Sequence, residues 1–307
     1  MSLYLGIDGG GTKTTCAVGD DVSVLAVENG PGSNVIRLGE DQARAGLRET
    51  IARACSTADI SPLRISAVCV GAAGASHPQV SSAVKQMVRQ VLPNAEVSVV
   101  GDMVIAFEAA LNEHSGVVAI AGTGSIVYGR NQRGETARAG GWGYRISDEG
   151  SGQWIGRAAV AEVMRALDAG RETILLDRIL GTWQLASRED LVRYANATQA
   201  PNFAELFPVV QRAATERDTI ADKILTRAGG ELSKLAFLVL HRLWKPAEPV
   251  RVGVAGGVFA NSSTVRLAFY NSLRAAWPSA AVCFKITDPV VGALWMARRI
   301  GTPIGAG

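Results

Sequence analysis

The sequence predicts a mixed α/β protein built from two related halves. Its 307 residues are enough for two domains, each with a core of its own. Short apolar runs alternate with longer segments of helical period, which is typical of a sheet covered by helices. An apolar strand, a Gly/Thr turn and a return strand occur in this order twice, at Asp8 to Thr14 and at Ala121 to Ser125. An internal duplication is the most economical explanation of that repeat.

The composition excludes several classes of protein. Hydrophobic residues make up 48% of the chain and charged residues 19%, as in a globular protein. The net charge of +3 is too small to indicate a nucleic-acid partner. Neither a signal peptide nor an apolar run long enough for a membrane span is visible, so we expect no membrane partner and a cytoplasmic location. The four cysteines lack C-x-x-C spacing, which predicts reduced, mostly core thiols rather than a zinc site or a disulfide framework. They are Cys16, Cys55, Cys69 and Cys283.

The first strand and turn lie in the segment Leu3 to Val18, LYLGIDGGGTKTTCAV. Its glycines let the backbone pass close to an anion and direct N–H groups at it, and a carboxylate at the strand end can hold a cation. A Walker A loop is excluded because Thr12 separates Gly11 from Lys13 and a strand follows. The dinucleotide fingerprint is excluded because the last glycine is missing. The segment is therefore either a phosphate-binding turn or an ordinary glycine-rich hairpin.

The remainder of the first half alternates strands and helices. Gly30 to Asn34 is a loop, in which Asn34 is either a turn former or a side chain that presents a donor and an acceptor to a ligand. The predicted strands are Val22 to Val27, Ile65 to Val70 and Val97 to Val100, and the predicted helices are Glu40 to Cys55, Gln79 to Val91 and Met103 to Asn112. Asp102 follows the last of these strands directly.

The second half begins with the repeated turn and continues mostly as helices. The predicted strands are Val117 to Ala121, Ile126 to Arg130, Val250 to Ala255 and Ala281 to Ile286. The predicted helices are Trp154 to Asp168, Arg188 to Tyr194, Phe203 to Ala214, Asp218 to Leu243 and Val290 to Arg299. We expect an N-terminal domain over residues 1–112, a second domain with a helical insertion over 113–287, and a last helix, about 288–303, that packs on the first domain.

Two glycine-rich segments of the second half are candidates for ligand binding. The loop Ala139 to Gly152, AGGWGYRISDEGSG, carries aromatic and acidic residues among five glycines. Such a loop is typical of a binding site, and the alternative is a hairpin loop whose Trp142 fills a core. The strand that ends in Gly256 and Gly257 runs into a helix start, where a base or a sugar-phosphate can approach without meeting a Cβ atom.

These motifs together resemble one superfamily. The spacing of Asp8-GGGT, Gly101-Asp102, GTGS, GGWG…DEGS and AGG resembles the fold shared by sugar kinases, heat-shock chaperone ATPases and actin. Within it, GGWG with DEGSG is similar to the branch of N-acetylglucosamine kinases, bacterial glucosamine kinases and BadF/BadG/BcrA/BcrD ATPases. The resemblance implies a two-lobed, actin-like (ribonuclease H-like) ATPase fold with two duplicated α/β domains around a nucleotide cleft.

The resemblance also implies a role for individual residues. Asp8 would organise Mg²⁺, and Asp102 would be the general base and contact the sugar, although a helix N-cap explains this aspartate equally well. The triphosphate would face Gly10, Gly11, Thr12, Lys13, Thr123 and Gly124; the adenosine would lie on Gly256 and Gly257; the sugar would contact Asn34, Gly140, Gly141 and Asp148. The chain departs from these kinases after the strand Ile65 to Val70, where Ala72 and Ala73 stand in the place of a serine near the sugar.

The implied function is transfer of phosphate from ATP to the 6-hydroxyl of an amino sugar, N-acetylglucosamine or glucosamine, by a homodimer. One alternative is a BadF/BcrA-type ATPase that activates a reductase or dehydratase through an iron–sulfur cluster. That cluster needs accessible cysteine thiolates, and the cysteines of this chain lie in apolar strands or at a helix end. Another alternative is a sugar-sensing protein that binds ATP without turnover. Related repressors add a DNA-binding helix pair and a cysteine-rich zinc loop, and neither is visible in this sequence.

Overall fold

A computed structural model describes residues 2–112 and 114–301. Its strands are β1 (Leu3–Gly9), β2 (Lys13–Gly19), β3 (Val24–Pro31), β4 (Ile65–Ala72), β5 (Glu96–Gly101), β6 (Gly116–Ala121), β7 (Ser125–Arg130), β8 (Thr136–Gly140), β9 (Val250–Ala255) and β10 (Ala280–Cys283). Its helices are α1 (Val35–Leu38), α2 (Glu40–Thr57), α3 (Pro78–Val91), α4 (Asp102–Leu111), α5 (Gly152–Asp168), α6 (Leu175–Trp183), α7 (Arg188–Ala195), α8 (Phe207–Thr215), α9 (Thr219–Leu243), α10 (Gly257–Asn261), α11 (Ser263–Ala276) and α12 (Pro289–Gly301), with 3-10 turns at Pro62–Arg64 and Phe203–Leu206.

The chain forms two compact units. Unit 1 contains Met1–His114 and Thr287–Gly307, and unit 2 contains Ser115–Ile286. Among the described residues, no helix is both long and apolar enough to cross a membrane.

Unit 1 is a five-stranded sheet in the order β3-β2-β1-β4-β5, with helices on both faces. Alternation along β1 explains the two layers, because successive side chains of a strand point to opposite faces. Leu5 and Ile7 belong to a core cluster with residues of α2 and α3, whereas Tyr4 packs with Cys69 and with α4 and α12 on the other face. The sheet is thus buried on both sides, which accounts for the nearly continuous apolar run at the start of the sequence.

Unit 2 contains a second five-stranded sheet, β10-β9-β6-β7-β8, packed against α5 and α9. The buried stripe predicted for α9 is present, since Leu232, Ala236 and Val239 are fully buried. His241 is exposed, as expected for a residue off that stripe.

The two sheets have the same topology. In unit 1, β1 pairs antiparallel with β2 and parallel with β4, while β3 and β5 form the edges. In unit 2, β6 pairs antiparallel with β7 and parallel with β9, while β8 and β10 form the edges. Each central strand therefore enters a tight turn and returns beside itself. The internal duplication and the mixed α/β class predicted from the sequence are confirmed.

Some predicted elements differ from the structure. β8, α6 and α11 were not predicted, and the predicted strand Ala281 to Ile286 ends at Cys283, where its pairing with β9 ends opposite Gly253. The predicted helix Phe203 to Ala214 is a 3-10 turn followed by α8, and Pro208 lies in the first turn of α8. Proline fits a first turn because its missing N–H has no partner there.

Candidate active site

The turn between β1 and β2 in unit 1 exposes backbone donors. The Gly10 N–H donates to the Lys13 carbonyl at 3.0 Å, which closes the turn. A Cβ atom on Gly10 would lie 2.7 Å from that carbonyl oxygen, so the closure requires glycine. The N–H groups of Gly11 and Thr12 make no hydrogen bond with another described residue. Two consecutive free N–H groups on one turn can bind an anion.

The loop Gly30 to Asn34 packs against this turn. The Ser33 N–H donates to the Gly10 carbonyl at 3.0 Å, and the Thr14 hydroxyl donates to the Ser33 hydroxyl at 2.8 Å. Asn34 then caps α1, where its Oδ1 accepts from the Arg37 N–H at 3.1 Å. The Asn34 Nδ2 makes no hydrogen bond among the described residues. Both interpretations of Asn34 are therefore compatible with the structure. Its Oδ1 caps the turn into α1, and its Nδ2 remains available as a donor to a ligand.

Two other carboxylates act on Asp8 through their charge at the end of this sheet. Asp8 is half-buried, and burial raises its pKa to about 7, with the negative charges of Asp102 and Asp288 adding to the effect and Lys13 opposing it. Asp288 also caps α12, where its Oδ1 accepts from the Val290 N–H. An excess of negative charge of this kind favours a divalent cation. No group of three metal-ligating side chains is found in residues 2–112 and 114–301; Mg²⁺ usually takes only one or two carboxylates, with phosphates and water as its other ligands.

Asp102 lies in the first turn of α4, directly after β5. The helix begins at Asp102 with Gly101 as its N-cap, so Asp102 is not the N-cap that the sequence allowed. Its Oδ1 accepts from the Met103 N–H at 2.9 Å, and the backbone N–H of Asp102 also donates to the carboxylate. The side chain is accessible to solvent, yet the surrounding protein raises its pKa by desolvation. Because β4 separates β1 from β5, the strand that carries Asp8 and the strand that leads into Asp102 are about 10 Å apart.

The turn between β6 and β7 in unit 2 repeats the arrangement of the first. The Gly122 N–H donates to the Gly124 carbonyl at 2.9 Å, and the N–H groups of Thr123 and Gly124 have no partner among the described residues. A Cβ atom on Gly122 would meet no atom within 4 Å, so packing does not require glycine there. The open space lets a ligand approach the backbone closely. Thr123 is exposed at the tip, as Thr12 is in the first turn.

Asp148 lies against this second turn in a left-handed backbone conformation, with φ of 67°. Its carboxylate accepts from the N–H groups of Ser125 and Gly143, and a Cβ atom on Gly124 would lie 2.9 Å from its Oδ2. Burial raises the pKa of Asp148, and the nearby positive charge of Arg157 lowers it. A non-glycine residue held in this conformation is strained and requires support from its surroundings.

The predicted sugar-binding glycines begin the same loop. Gly140 and Gly141 have φ of 74° and 72°, which L side chains rarely adopt. A Cβ atom on Gly141 would also lie 2.7 Å from the Ile126 side chain. Gly140 ends β8 opposite Ile126, beside the Gly122 to Ser125 turn. The loop and the turn are therefore parts of one local structure in unit 2.

Gly256 and Gly257 join β9 to α10. Gly256 has φ of 94°, and a Cβ atom there would collide with the Ala121 carbonyl at the end of β6. The only atom within 4 Å of a Cβ on Gly257 is the Asn261 Nδ2, at 3.9 Å. The first glycine is required by packing, and the second leaves open space over the helix start.

Every predicted site residue thus lies in one of two groups. Unit 1 brings together Asp8, Gly10, Gly11, Thr12, Lys13, Asn34 and Asp102, and unit 2 brings together Thr123, Gly124, Gly140, Gly141, Asp148, Gly256 and Gly257. No role at the site was predicted from the sequence for Ser33, Asp288 or Arg157. The sequence contains no pattern that reveals the Ser33–Gly10 contact, the Arg157–Tyr144 contact or the effect of Asp288 on Asp8, because each joins residues distant along the chain.

Comparison with known proteins identifies the class. Residues 5–297 match the BadF/BadG/BcrA/BcrD ATPase family, and the chain belongs to this family. ATP is therefore its nucleotide.

The most informative relatives are sugar kinases. The chain is 34% identical over 303 residues to the N-acetylmuramic acid/N-acetylglucosamine kinase of Clostridium acetobutylicum, covering 97% of this chain and 99% of that protein. It is 30% identical to the N-acetyl-D-glucosamine kinase of Dictyostelium discoideum, covering 96% and 97%. The crystal structure of a Chromobacterium violaceum protein assigned as an N-acetylglucosamine kinase superposes with a TM-score of 0.78 at 26% identity, covering 97% of this chain and 99% of that one. The actin-like sugar kinase fold implied by the sequence is confirmed.

Proposed function

We propose that this protein is an ATP-dependent kinase that phosphorylates the 6-hydroxyl of an amino sugar, N-acetylglucosamine or glucosamine. The observation that carries the proposal is in unit 1, where a turn with free N–H groups, Asp8 and Asp102 all lie at the same end of one sheet. Phosphoryl transfer requires little covalent chemistry from a protein. It requires charge neutralisation and correct placement of the attacking hydroxyl, and this set of groups can supply both.

The two Gly/Thr turns would bind the phosphates. Gly11 and Thr12 in unit 1, and Thr123 and Gly124 in unit 2, each offer two adjacent N–H donors. Gly10 closes the first turn, and Lys13 adds a positive charge beside it. Asp8 would hold Mg²⁺, which when bound neutralises charge on the phosphates. Gly256 and Gly257 would accept the adenosine, since Gly257 leaves room above the start of α10.

Asp102 would orient the sugar 6-hydroxyl and accept its proton as transfer proceeds. The backbone N–H groups of Met103 and Asp102 donate to this carboxylate. Because a carboxylate has about four acceptor sites, it can still accept from the sugar. The raised pKa of this carboxyl makes it a stronger base than an ordinary aspartate. Alignment of the hydroxyl is still expected to be its main contribution, because a carboxylate is a weak base compared with an alkoxide.

The sugar itself would be bound by Asn34, Gly140, Gly141 and Asp148. The Nδ2 of Asn34 is a free donor, and Asp148 is held in place by two backbone N–H groups. A carboxylate fixed in this way can accept hydrogen bonds from sugar hydroxyls without losing further side-chain entropy. Ala72 is the last residue of β4, and Ala73 follows it. With these two alanines, the sugar pocket would lack the serine of the similar kinases.

An ADP-release assay with ATP and Mg²⁺ across a panel of hexoses and hexosamines tests the proposal. We expect stimulation by N-acetylglucosamine or glucosamine, with the phosphate at C6 by NMR. If no sugar in the panel stimulates ATP turnover, the kinase assignment is wrong. Omission of Mg²⁺ should abolish turnover. The same preparation, analysed for iron, tests the activator alternative, which is disfavoured because Cys16, Cys55 and Cys69 are buried.

We also propose that the protein is cytoplasmic and forms a homodimer. These two proposals are supported by the resemblance to similar kinases. Light scattering in line with gel filtration should give about twice the chain mass of 32.2 kDa. A mass of one chain at assay concentration would contradict the dimer, and recovery of the native protein from a membrane fraction would contradict the location.

A further inference from the structure

The loop that carries Asp148 is anchored unevenly. Its second half is tied to the Gly122 to Ser125 turn, because the Ser125 hydroxyl donates to the Glu149 carbonyl at 2.8 Å and the Gly152 N–H donates to the Gly122 carbonyl at 2.8 Å. Its first half is open to solvent: Trp142 is 60% exposed and Ile146 80% exposed. The hydrogen bonds of Ile146 and Ser147 to the Gly143 carbonyl are internal to this first half and fix its shape but not its position.

A single arginine from α5 reaches the first half. The Arg157 Nη1 donates to the Tyr144 carbonyl at 2.7 Å. Another contact to this part of the loop from outside it is the Arg138 guanidinium stacked on Trp142, at 4.2 Å from the ring centroid. Arg157 is half-buried and lies on the second turn of α5, a helix whose first turn is itself bonded to the Gly122 to Ser125 turn. It therefore joins the exposed half of the loop to the half that is bonded to the Gly122 to Ser125 turn.

The bond to Tyr144 bears on Asp148 through the neighbouring residue. The Gly143 N–H is one of the two backbone donors to the Asp148 carboxylate, and it belongs to the turn that Arg157 holds. The positive charge of Arg157 also acts on Asp148 directly, against burial and against the charge of Glu149. Asp148 has an unfavourable backbone conformation, so its placement depends on these supports.

We infer that Arg157 is a positioning residue for the sugar: it holds the turn Gly143 to Ser147 through the Tyr144 carbonyl so that Gly143 remains on the Asp148 carboxylate. The inference rests on the proposed function for its effect on the sugar. The anchoring of the loop by Arg157 is independent of the proposed function. Arg157 itself would contact neither substrate, and its effect on the sugar would be transmitted through Asp148.

The kinetic test compares Arg157→Ala, Arg157→Gln and Arg157→Lys. Loss of a charge-assisted hydrogen bond typically lowers affinity by about 10-fold or more, so we expect Arg157→Ala to raise the KM for the sugar by that factor while the KM for ATP changes less than about twofold. Arg157→Lys, which keeps a donor and the charge, should recover most of the loss, and Arg157→Gln should fall between. The matched control is Arg165→Ala on the same helix, where an exposed arginine pairs with Glu162.

A second measurement does not require any activity. Arg145 lies exposed in the first half of the loop, so trypsin cleavage after Arg145 reports how firmly that half is held. We expect faster cleavage in Arg157→Ala than in the wild type or Arg165→Ala. If the sugar KM is unchanged while the melting temperature falls, or if the KM values for sugar and ATP rise together, the inference is wrong. If wild-type protein turns over no sugar, the proposed function fails, and unchanged cleavage would independently overturn the anchoring.

Discussion

At the scale of single residues, Asp102 combines accessibility with a perturbed carboxyl. Replacing it with asparagine keeps the acceptor for the Met103 N–H but removes the proposed proton acceptor for the sugar hydroxyl. General-base groups typically contribute about 10²-fold to 10⁴-fold in rate, and we expect Asp102→Asn to lower kcat by at least the smaller factor in the ADP-release assay. Glu96→Gln, at the far end of β5, is the control for a loss of charge on the same strand. A rate within a few-fold of wild type would rule out the assigned base.

Asp8 should make stability depend on pH. An ordinary aspartate has a pKa of about 3.9, and in the folded protein burial, with the charges of Asp102 and Asp288, raises the pKa of Asp8 to about 7. Between these values the folded protein retains a proton that the unfolded chain releases. The contribution of Asp8 to stability is therefore present at low pH and is lost as the pH rises towards 7.

Asp8→Asn removes this dependence. Without added magnesium, we expect its melting temperature to exceed that of the wild type at pH 8, and the difference to shrink towards pH 4. Differential scanning fluorimetry over that range measures both proteins. Added Mg²⁺ should raise the wild-type melting temperature at pH 8 and leave Asp8→Asn unchanged. Parallel pH profiles for the two proteins would show that the Asp8 carboxyl is not perturbed.

At the scale of elements, two adjacent glycines of α9 have opposite roles. A Cβ atom on Gly229 would lie 2.5 Å from the Val265 carbonyl and 2.8 Å from the Phe269 nitrogen, because α11 crosses α9 there. A Cβ atom on Gly230 would meet nothing within 4 Å. Glycine is therefore required by packing at the first position and only lowers helix propensity at the second.

The matched variants Gly229→Ala and Gly230→Ala test this reading. Overpacking against backbone typically costs about 1–3 kcal/mol, and we expect Gly229→Ala to be destabilised by at least that amount. Gly230→Ala should be more stable than wild type by about 0.5–1 kcal/mol, the propensity difference between the two residues. Urea denaturation of both variants gives the free energies of unfolding. Equal effects of the two substitutions would mean that α9 and α11 do not approach closely at this point.

Some elements could be predicted from the sequence more accurately than others, for physical reasons. β9 was predicted to the residue because it is an apolar run bounded by a proline and a pair of glycines. β8, with the sequence TARAG, is an edge strand too short for a clear period, and only its pairing with β7 makes it a strand. Both Gly/Thr turns could be located from the sequence, because glycine and threonine at a strand end favour a tight turn through local backbone effects. The contact of Arg157 with Tyr144 and the effect of the Asp288 charge on Asp8 could not be predicted, because both arise only after folding.

At the scale of the whole molecule, the repeated topology explains why two separate segments can carry the same chemistry. Each unit places a central strand between an antiparallel and a parallel neighbour, and the tight turn at its end leaves two N–H groups free. The duplicated units have since diverged: an aspartate, Asp8, precedes the first turn, whereas Ala121 precedes the second. The carboxylate that would hold Mg²⁺ is therefore present in only one copy of the repeat.

The cysteines and tryptophans are distributed so that the two units can be followed by different signals. Burial raises the thiol pKa of the three cysteines of unit 1, which are Cys16, Cys55 and Cys69. The pKa is about 11 for Cys55 and about 12 for Cys69. Cys283, in unit 2, is exposed. Buried, protonated thiols do not react with disulfide reagents. We expect one reactive thiol in the native protein and four in denaturant, measured with a chromogenic disulfide. Two or more rapid thiols under native conditions would contradict the burial.

Five of the six tryptophans, all except Trp295, lie in unit 2. Intrinsic fluorescence therefore follows mainly the unfolding of unit 2, and the release of the three slow thiols follows unit 1. Both signals can be recorded on one sample during denaturation. Their midpoints coincide if the units unfold together and differ if the units unfold separately. The native residues thus supply a pair of spectroscopic reporters, without labels or substitutions, for determining which unit a bound nucleotide or sugar protects.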